Sequence, residues 1–144
     1  MTNKTVLLID DEQSFLEPLA DALEYKNFRV LKARTGEEAL QILDSEQVDL
    51  VTIDIMLDPG KALQNHVDSH KTGLFLCEEI KRKYPHIEAF CISVVSEMKT
   101  IRKIESLGIR FLRKGETPLR TVLNMLCSRL TGIAYSSKRD QKAK

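Results

Sequence analysis

The chain has 144 residues, a formal net charge of +1, 42% hydrophobic residues and 30% charged residues, the balance of one globular domain. Near-neutrality gives no strong electrostatic drive toward nucleic acid or an anionic membrane. No apolar run approaches the roughly 20 residues needed to cross a bilayer. Three cysteines, Cys77, Cys91 and Cys127, sit in apolar surroundings without a CxxC pair, so buried, reduced thiols are expected.

Short apolar runs alternate with longer amphipathic ones. Met1-Thr2-Asn3-Lys4 enters the first run directly, without the layout of a secretory leader, and a cytoplasmic protein is expected. The first strand is predicted over about 5–10 and the first helix over about 15–26. Ser14-Phe15-Leu16-Glu17 reads as a capping box, with Pro18 in the first turn, where its missing donor costs least. Phe15, Leu16, Leu19, Ala22 and Leu23 form one apolar stripe. A second strand, about 28–33, alternates polar and apolar residues as an edge strand does. The second helix starts near Gly36 and turns Ala39, Leu40, Ile42 and Leu43 inward. A third strand covers about 48–54.

The third helix starts near Thr72, uses Leu74, Phe75, Leu76 and Ile80, and ends at Tyr84-Pro85. A fourth strand over about 87–93 precedes a helix over about 97–107, capped by Ser96, carrying Met98, Ile101 and Ile104, and stopped by Gly108. The fifth strand, about 109–114, and a helix over about 117–132 with Leu119, Val122, Leu123, Leu126 and Leu130 inward complete the pattern. The domain is expected over 1–133, with a polar, basic and disordered tail at 134–144.

Five strands alternating with five helices imply an α/β fold, a doubly wound parallel sheet with right-handed crossovers. Such sheets bind ligands beyond the carboxyl ends of their strands. Four of these runs end in polar groups: Asp10 and Asp11 after strand one, Asp54 after strand three, Ser93 after strand four and Lys114 after strand five. Three carboxylates converging without a lysine between them would repel one another. A hard divalent cation with oxygen ligands, of which Mg²⁺ is the best fit, removes that problem. A carboxylate is also a nucleophile able to form an aspartyl-phosphate. The cation would neutralise one side of a phosphoryl group and Lys114 the other, while Ser93 donates a hydrogen bond.

Val6-Leu7-Leu8-Ile9-Asp10-Asp11-Glu12, with Asp54, Ser93 and Lys114 at later strand ends, resembles the receiver domain of two-component response regulators over roughly residues 4–132. The resemblance implies a flavodoxin-like (βα)5 sheet of strand order 2-1-3-4-5. It implies Asp54 as phosphoacceptor. Mg²⁺ would be held by Asp11 directly, by Asp10 largely through water, by Asp54, and by the Met56 backbone carbonyl. Ser93 and Lys114 would bind the phosphoryl group, and Phe111, three residues before Lys114, falls where the family carries a switching aromatic. It implies phosphorylation by a sensor histidine kinase or a histidine phosphotransfer protein. Output would be a surface of helix four, strand five and helix five read by an unknown downstream protein, with no direct nucleic-acid or membrane contact.

The chain departs from the family at three places. Receivers carry proline, with a cis peptide, after the strand-five lysine. Gly115 follows here, and a cis bond without proline costs about 3 kcal/mol, so a trans or reshaped turn is expected. Val94 follows the hydroxyl where a very small residue is usual, and would narrow access to Asp54. Gly73 comes nineteen residues after Asp54, an insertion of about ten. The resulting loop, 55–72, is expected to contact a partner or cover the pocket. Its Leu57-Asp58-Pro59-Gly60 is a turn signal. Its His66 and His70 have i,i+4 spacing, which on a helix could bind zinc; with only Asp68 near and no HExxH pattern, a solvated loop is expected.

A stand-alone phosphorylation switch follows, catalysing at most its own phosphorylation and slow dephosphorylation. Two alternatives stand beside it. One is a pseudo-receiver that is never phosphorylated. The other is a small aspartyl-phosphate hydrolase, whose second acid, two residues after the nucleophile, is replaced here by Met56. Met56 and Val95 occupy the positions from which a polar side chain would orient attacking water, so a long-lived phosphoryl group is expected.

Overall fold

The computed structural model describes residues 4–61, 63, 71–95 and 97–132. Ten elements alternate: β1 (Thr5–Ile9), α1 (Gln13–Tyr25), β2 (Arg29–Ala33), α2 (Gly36–Ser45), β3 (Leu50–Ile53), α3 (Thr72–Lys83), β4 (Glu88–Ser93), α4 (Met98–Ser106), β5 (Arg110–Arg113) and α5 (Leu119–Thr131). The strands form one parallel sheet in the order β2-β1-β3-β4-β5, as expected. The expected tail at 134–144, Ser96, and residues 62 and 64–70 of the 55–72 loop, with His66, Asp68 and His70, lie outside the described residues.

Alternation along β1 divides the apolar residues between two layers. Leu7 and Ile9 join the layer under α2, α3 and α4, with Ala39, Leu43, Leu76, Cys77, Ile80 and Ile104. Val6 and Leu8 join the layer under α1 and α5, with Leu16, Leu19, Leu23, Val122, Leu126 and Leu130. All three cysteines are buried and free. β2, at one edge, has mixed burial as its alternation suggests.

Several local expectations are corrected. Ser14-Glu17 does not cap α1. The Glu12 amide donates to Asp10 Oδ1 at 2.9 Å, which turns the chain early enough for the helix to start at Gln13. Pro18 therefore lies inside the helix, past its first turn, and leaves the Ser14 carbonyl without its i+4 donor. Ala20 is buried in this helix, and Ala22 is only half-buried. Leu119, read as inward, is partly exposed, as is Met98; they are the first residues of α5 and α4.

α2 has the cap that α1 lacks. Thr35 Oγ1 accepts from the Glu38 amide at 3.1 Å, and Glu38 Oε1 accepts from the Arg34 amide at 2.7 Å. The preceding donors of the first turn, the amides of Gly36 and Glu37, reach the carbonyls of Asp58 and Pro59 at 2.8 and 2.9 Å. The Leu57-Asp58-Pro59-Gly60 turn thus ties the start of the insertion to α2. Gly60 permits this with φ +88, and a Cβ there would meet Glu37 Cβ at 2.7 Å.

Candidate functional site

Each polar strand end is placed by the neighbouring strand's ladder. The Asp10 amide donates to the Ala33 carbonyl at 3.0 Å, that of Asp54 to Ile9 at 3.0 Å, and that of Lys114 to Ser93 at 3.0 Å. In β5, Arg113 comes between Leu112 and Lys114; in β1, β3 and β4 the last apolar residue, Ile9, Ile53 and Ile92, is buried in a layer, and the residue that follows it stands at the sheet's carboxyl edge. There Asp10, Asp11 and Asp54 bring carboxylate oxygens within 4.8 Å of one another. Asp10 and Asp54 are only 2% and 6% exposed; Asp11 is exposed.

The Asp54 carboxylate is engaged on both sides. Its Oδ1 accepts from Ser93 Oγ at 2.7 Å and, more distantly, from the Met56 amide at 3.4 Å. Its Oδ2 lies 3.1 Å from Lys114 Nζ. Ser93 is fully buried, and its Oγ also receives the Val95 amide at 3.4 Å. Gly73 packs against the backbone that carries Asp54. Its amide donates to the Ile55 carbonyl at 2.9 Å, and a Cβ on it would lie 2.2 Å from the Asp54 carbonyl oxygen. Nineteen residues along the chain from Asp54, this glycine still returns to it.

The carboxylates do not converge without a lysine between them: Lys114 supplies one. It sits among them, 2.8 Å from Asp10 Oδ2, 3.0 Å from Glu12 Oε1 and 3.1 Å from Asp54 Oδ2. The ring of Phe15 closes the cluster, its centroid 5.0 Å from Nζ, a favourable placement for a cation. The Lys114–Gly115 peptide is trans, and Gly115 turns the chain at φ +88. Burial pushes the Asp10 carboxyl up to about 6, against the opposing hydrogen bonds from Lys114 and the Glu12 amide. The Lys114 bond and charge hold Glu12 below the usual carboxylate range. Burial alone would lower Lys114; its bonds to Asp10 and Glu12 and the charge of Asp54 outweigh that and raise it.

Met56 is partly exposed and, with Asp11, Leu57 and Asp58, lines an open depression of about 420 Å³ beside the carboxylates. Val94 is 63% exposed, and Val95 is half-buried in the layer that also receives Phe111. Phe111 lies on the α4 side of β5, with the Arg113 guanidinium 5.9 Å from its ring. Glu12 and Phe15 also belong to the cluster, although the sequence reading assigns a site role to neither. Glu12 reads as one more acid of the Asp10-Asp11-Glu12 run and Phe15 as one more apolar helix residue.

Comparison with known proteins agrees with this geometry. The chain belongs to the response regulator receiver domain family, whose model it matches over residues 6–121. It is 28% identical over 111 residues to a cyclic di-GMP phosphodiesterase of Thermotoga maritima, covering 76% of this chain and 27% of that protein. It is 32% identical over 81 residues to the regulatory protein VanR of Enterococcus faecium, covering 56% and 30%. Among the first such relatives the chain spans between 23% and 43% of their length. In fold it is similar to a CheY-like receiver domain protein from Methanospirillum hungatei, with TM-score 0.75, 19% identity, and coverage of 99% and 100%. Receiver domains act in two-component systems, are phosphorylated by histidine kinases or phosphotransfer proteins, and bind Mg²⁺ at an acidic pocket such as that of Asp10, Asp11 and Asp54. Among the described residues, no helix is long and apolar enough to cross a membrane.

Proposed function

We propose that Asp54 is the phosphoacceptor of a switch. The observation that carries this reading is the two-sided hold on its carboxylate, by Ser93 Oγ at 2.7 Å and Lys114 Nζ at 3.1 Å. Both groups are donors, and both can pass to phosphoryl oxygens once a phosphoryl group stands on Asp54. A carboxylate oxygen of Asp54 forms the new O–P bond as the bond from phosphorus to the donor breaks. The electron pair and a proton go to the donor. The oxygen donors of Asp10, Asp11, Asp54 and the Met56 carbonyl suit Mg²⁺, which when bound supplies positive charge against the phosphoryl oxygens.

Movement of Ser93 toward a phosphoryl group would draw on Val94 and Val95, and Phe111 lies in the same layer as Val95. This supports Ser93 and Phe111 as the switch, and helix α4, strand β5 and helix α5 as the face read by a downstream protein. The donor is a sensor histidine kinase or a histidine phosphotransfer protein. Met56, Val94 and Val95 set access of water to the product.

The test is incubation with a small phosphodonor and Mg²⁺, followed by intact mass. A stable gain of one base-labile phosphoryl group, abolished in Asp54→Asn, is expected. Full labelling of that variant would overturn the assignment. Absence of any gain would indicate an interaction module, and rapid multiple turnover a hydrolase.

A further inference from the structure

Lys114 carries one charge and has three carboxylate partners. Two of them, Asp10 and Asp54, belong to the oxygen set assigned above to Mg²⁺; Glu12 does not. An ammonium and a divalent cation cannot both hold Asp10 and Asp54 at close range without repelling each other. We propose that Glu12 is a positioning residue, the seat to which Lys114 withdraws when a divalent cation takes Asp10 and Asp54. This inference rests on the Mg²⁺ reading of the proposed function.

The first turn of α1 is built as that seat. Glu12 is fixed by its own amide, which donates to Asp10 Oδ1 at 2.9 Å. Ser14 Oγ, which does not cap the helix, donates to Glu12 Oε2 at 3.1 Å and leaves Oε1 toward Lys114 at 3.0 Å. Phe15, on the same turn, offers its ring to the ammonium at 5.0 Å. The Glu12 side chain is 50% exposed, against 3% for Asp10 and 7% for Asp54. Glu12 can therefore hold Lys114 at the mouth of the pocket with little desolvation, and water can solvate the pair as it shifts. Lys114 would stay close enough to return to a phosphoryl group on Asp54.

The experiment is a calorimetric Mg²⁺ titration of the wild type, Glu12→Gln, Lys114→Met and the double variant, each first checked by thermal unfolding. Lys114→Gln replaces Lys114→Met if the latter does not fold. Without its seat Lys114 stays on Asp10 and Asp54, so Glu12→Gln is expected to weaken Mg²⁺ by about two- to fivefold, the range of an exposed ion pair. In the Lys114→Met background the same change is expected to have no effect, because there is no ammonium to reposition. Ser14→Ala, which leaves every charge in place, is expected to weaken Mg²⁺ in the same direction but less. An equal loss in both Lys114 backgrounds would show that Glu12 acts on the ion through its own charge and would overturn the inference. So would an unchanged affinity in Glu12→Gln. No Mg²⁺ binding by the wild type would overturn the Mg²⁺ reading itself, and the inference with it.

Discussion

If Asp54 is phosphorylated as proposed, Met56 and Val95 are expected to decide how long the phosphoryl group stays. Hydrolysis needs a water in line with the O–P bond, and a polar side chain nearby speeds it by orienting that water. On the proposed reading the positions that would orient this water are those of Met56 and Val95, and neither side chain forms a strong hydrogen bond. Purified phosphoprotein is expected to decay slowly, and Met56→Asn/Val95→Glu faster. Decay of the wild type within seconds, or no acceleration in the double variant, would remove the argument. A second residue-scale prediction concerns Gly73. Its φ is not the issue; the space is, since a Cβ would stand 2.2 Å from the Asp54 carbonyl oxygen and 2.3 Å from Ile55 Cα. Backbone on both sides cannot yield, so Gly73→Ala is expected to cost at least the roughly 1–3 kcal/mol of an overpacked core. It is also expected to displace Asp54. The urea midpoint and phosphodonor labelling check both, and an unchanged midpoint would show that α3 can shift away. Convergence of Asp10, Asp11, Asp54, Ser93 and Lys114 was legible because each lies at the end of a strand-forming run. The seat of Lys114 was not, because Glu12 and Phe15 reach it through the side of α1 that faces the pocket, and periodicity does not reveal this.

Elements were easier to recognise than their ends. Apolar spacing separates strands from helices over whole segments, whereas an end depends on a single hydrogen bond. Ser14-Glu17 has the composition of a capping box, yet the Asp10 carboxylate starts the helix earlier. The caps of α2 were illegible for a different reason. Two of its first three amides are satisfied by Asp58 and Pro59, some twenty residues distant in sequence, and only Thr35 is local. Thr35→Ala removes the acceptor for the Glu38 amide and is expected to cost about 1 kcal/mol. The loss is limited because the carbonyls from the insertion remain. Denaturant unfolding measures it. A cost well above about 2 kcal/mol would mean that Thr35 also holds the Asp58 turn in place, which the parallel bridge between Thr35 and Asp58 makes the natural second candidate.

At the scale of the molecule, the helices differ in how firmly they are held. α1 and α5, of 13 residues each, bury four side chains apiece. α4 has 9 residues, buries only Ile101 and Ile104, and has no side-chain cap at Glu97. Elements with few buried apolar contacts open at the lowest free energy, so a change at the pocket should appear first in α4. The connection is short: Ser93 Oγ bonds Asp54 at one side and receives the Val95 amide at the other, and α4 begins three residues after Val95. The protein saturated with Mg²⁺ and beryllofluoride, a phosphoryl mimic, is therefore expected to differ from the free protein in amide hydrogen exchange mainly from Val94 through Ser106. Phe111→Ala, which removes a ring from the layer that also holds Val95, should reduce that difference while leaving beryllofluoride uptake intact. Larger changes in α1 or α5 than in α4 would place the responsive surface elsewhere. Equal changes in wild type and Phe111→Ala would remove Phe111 from the path.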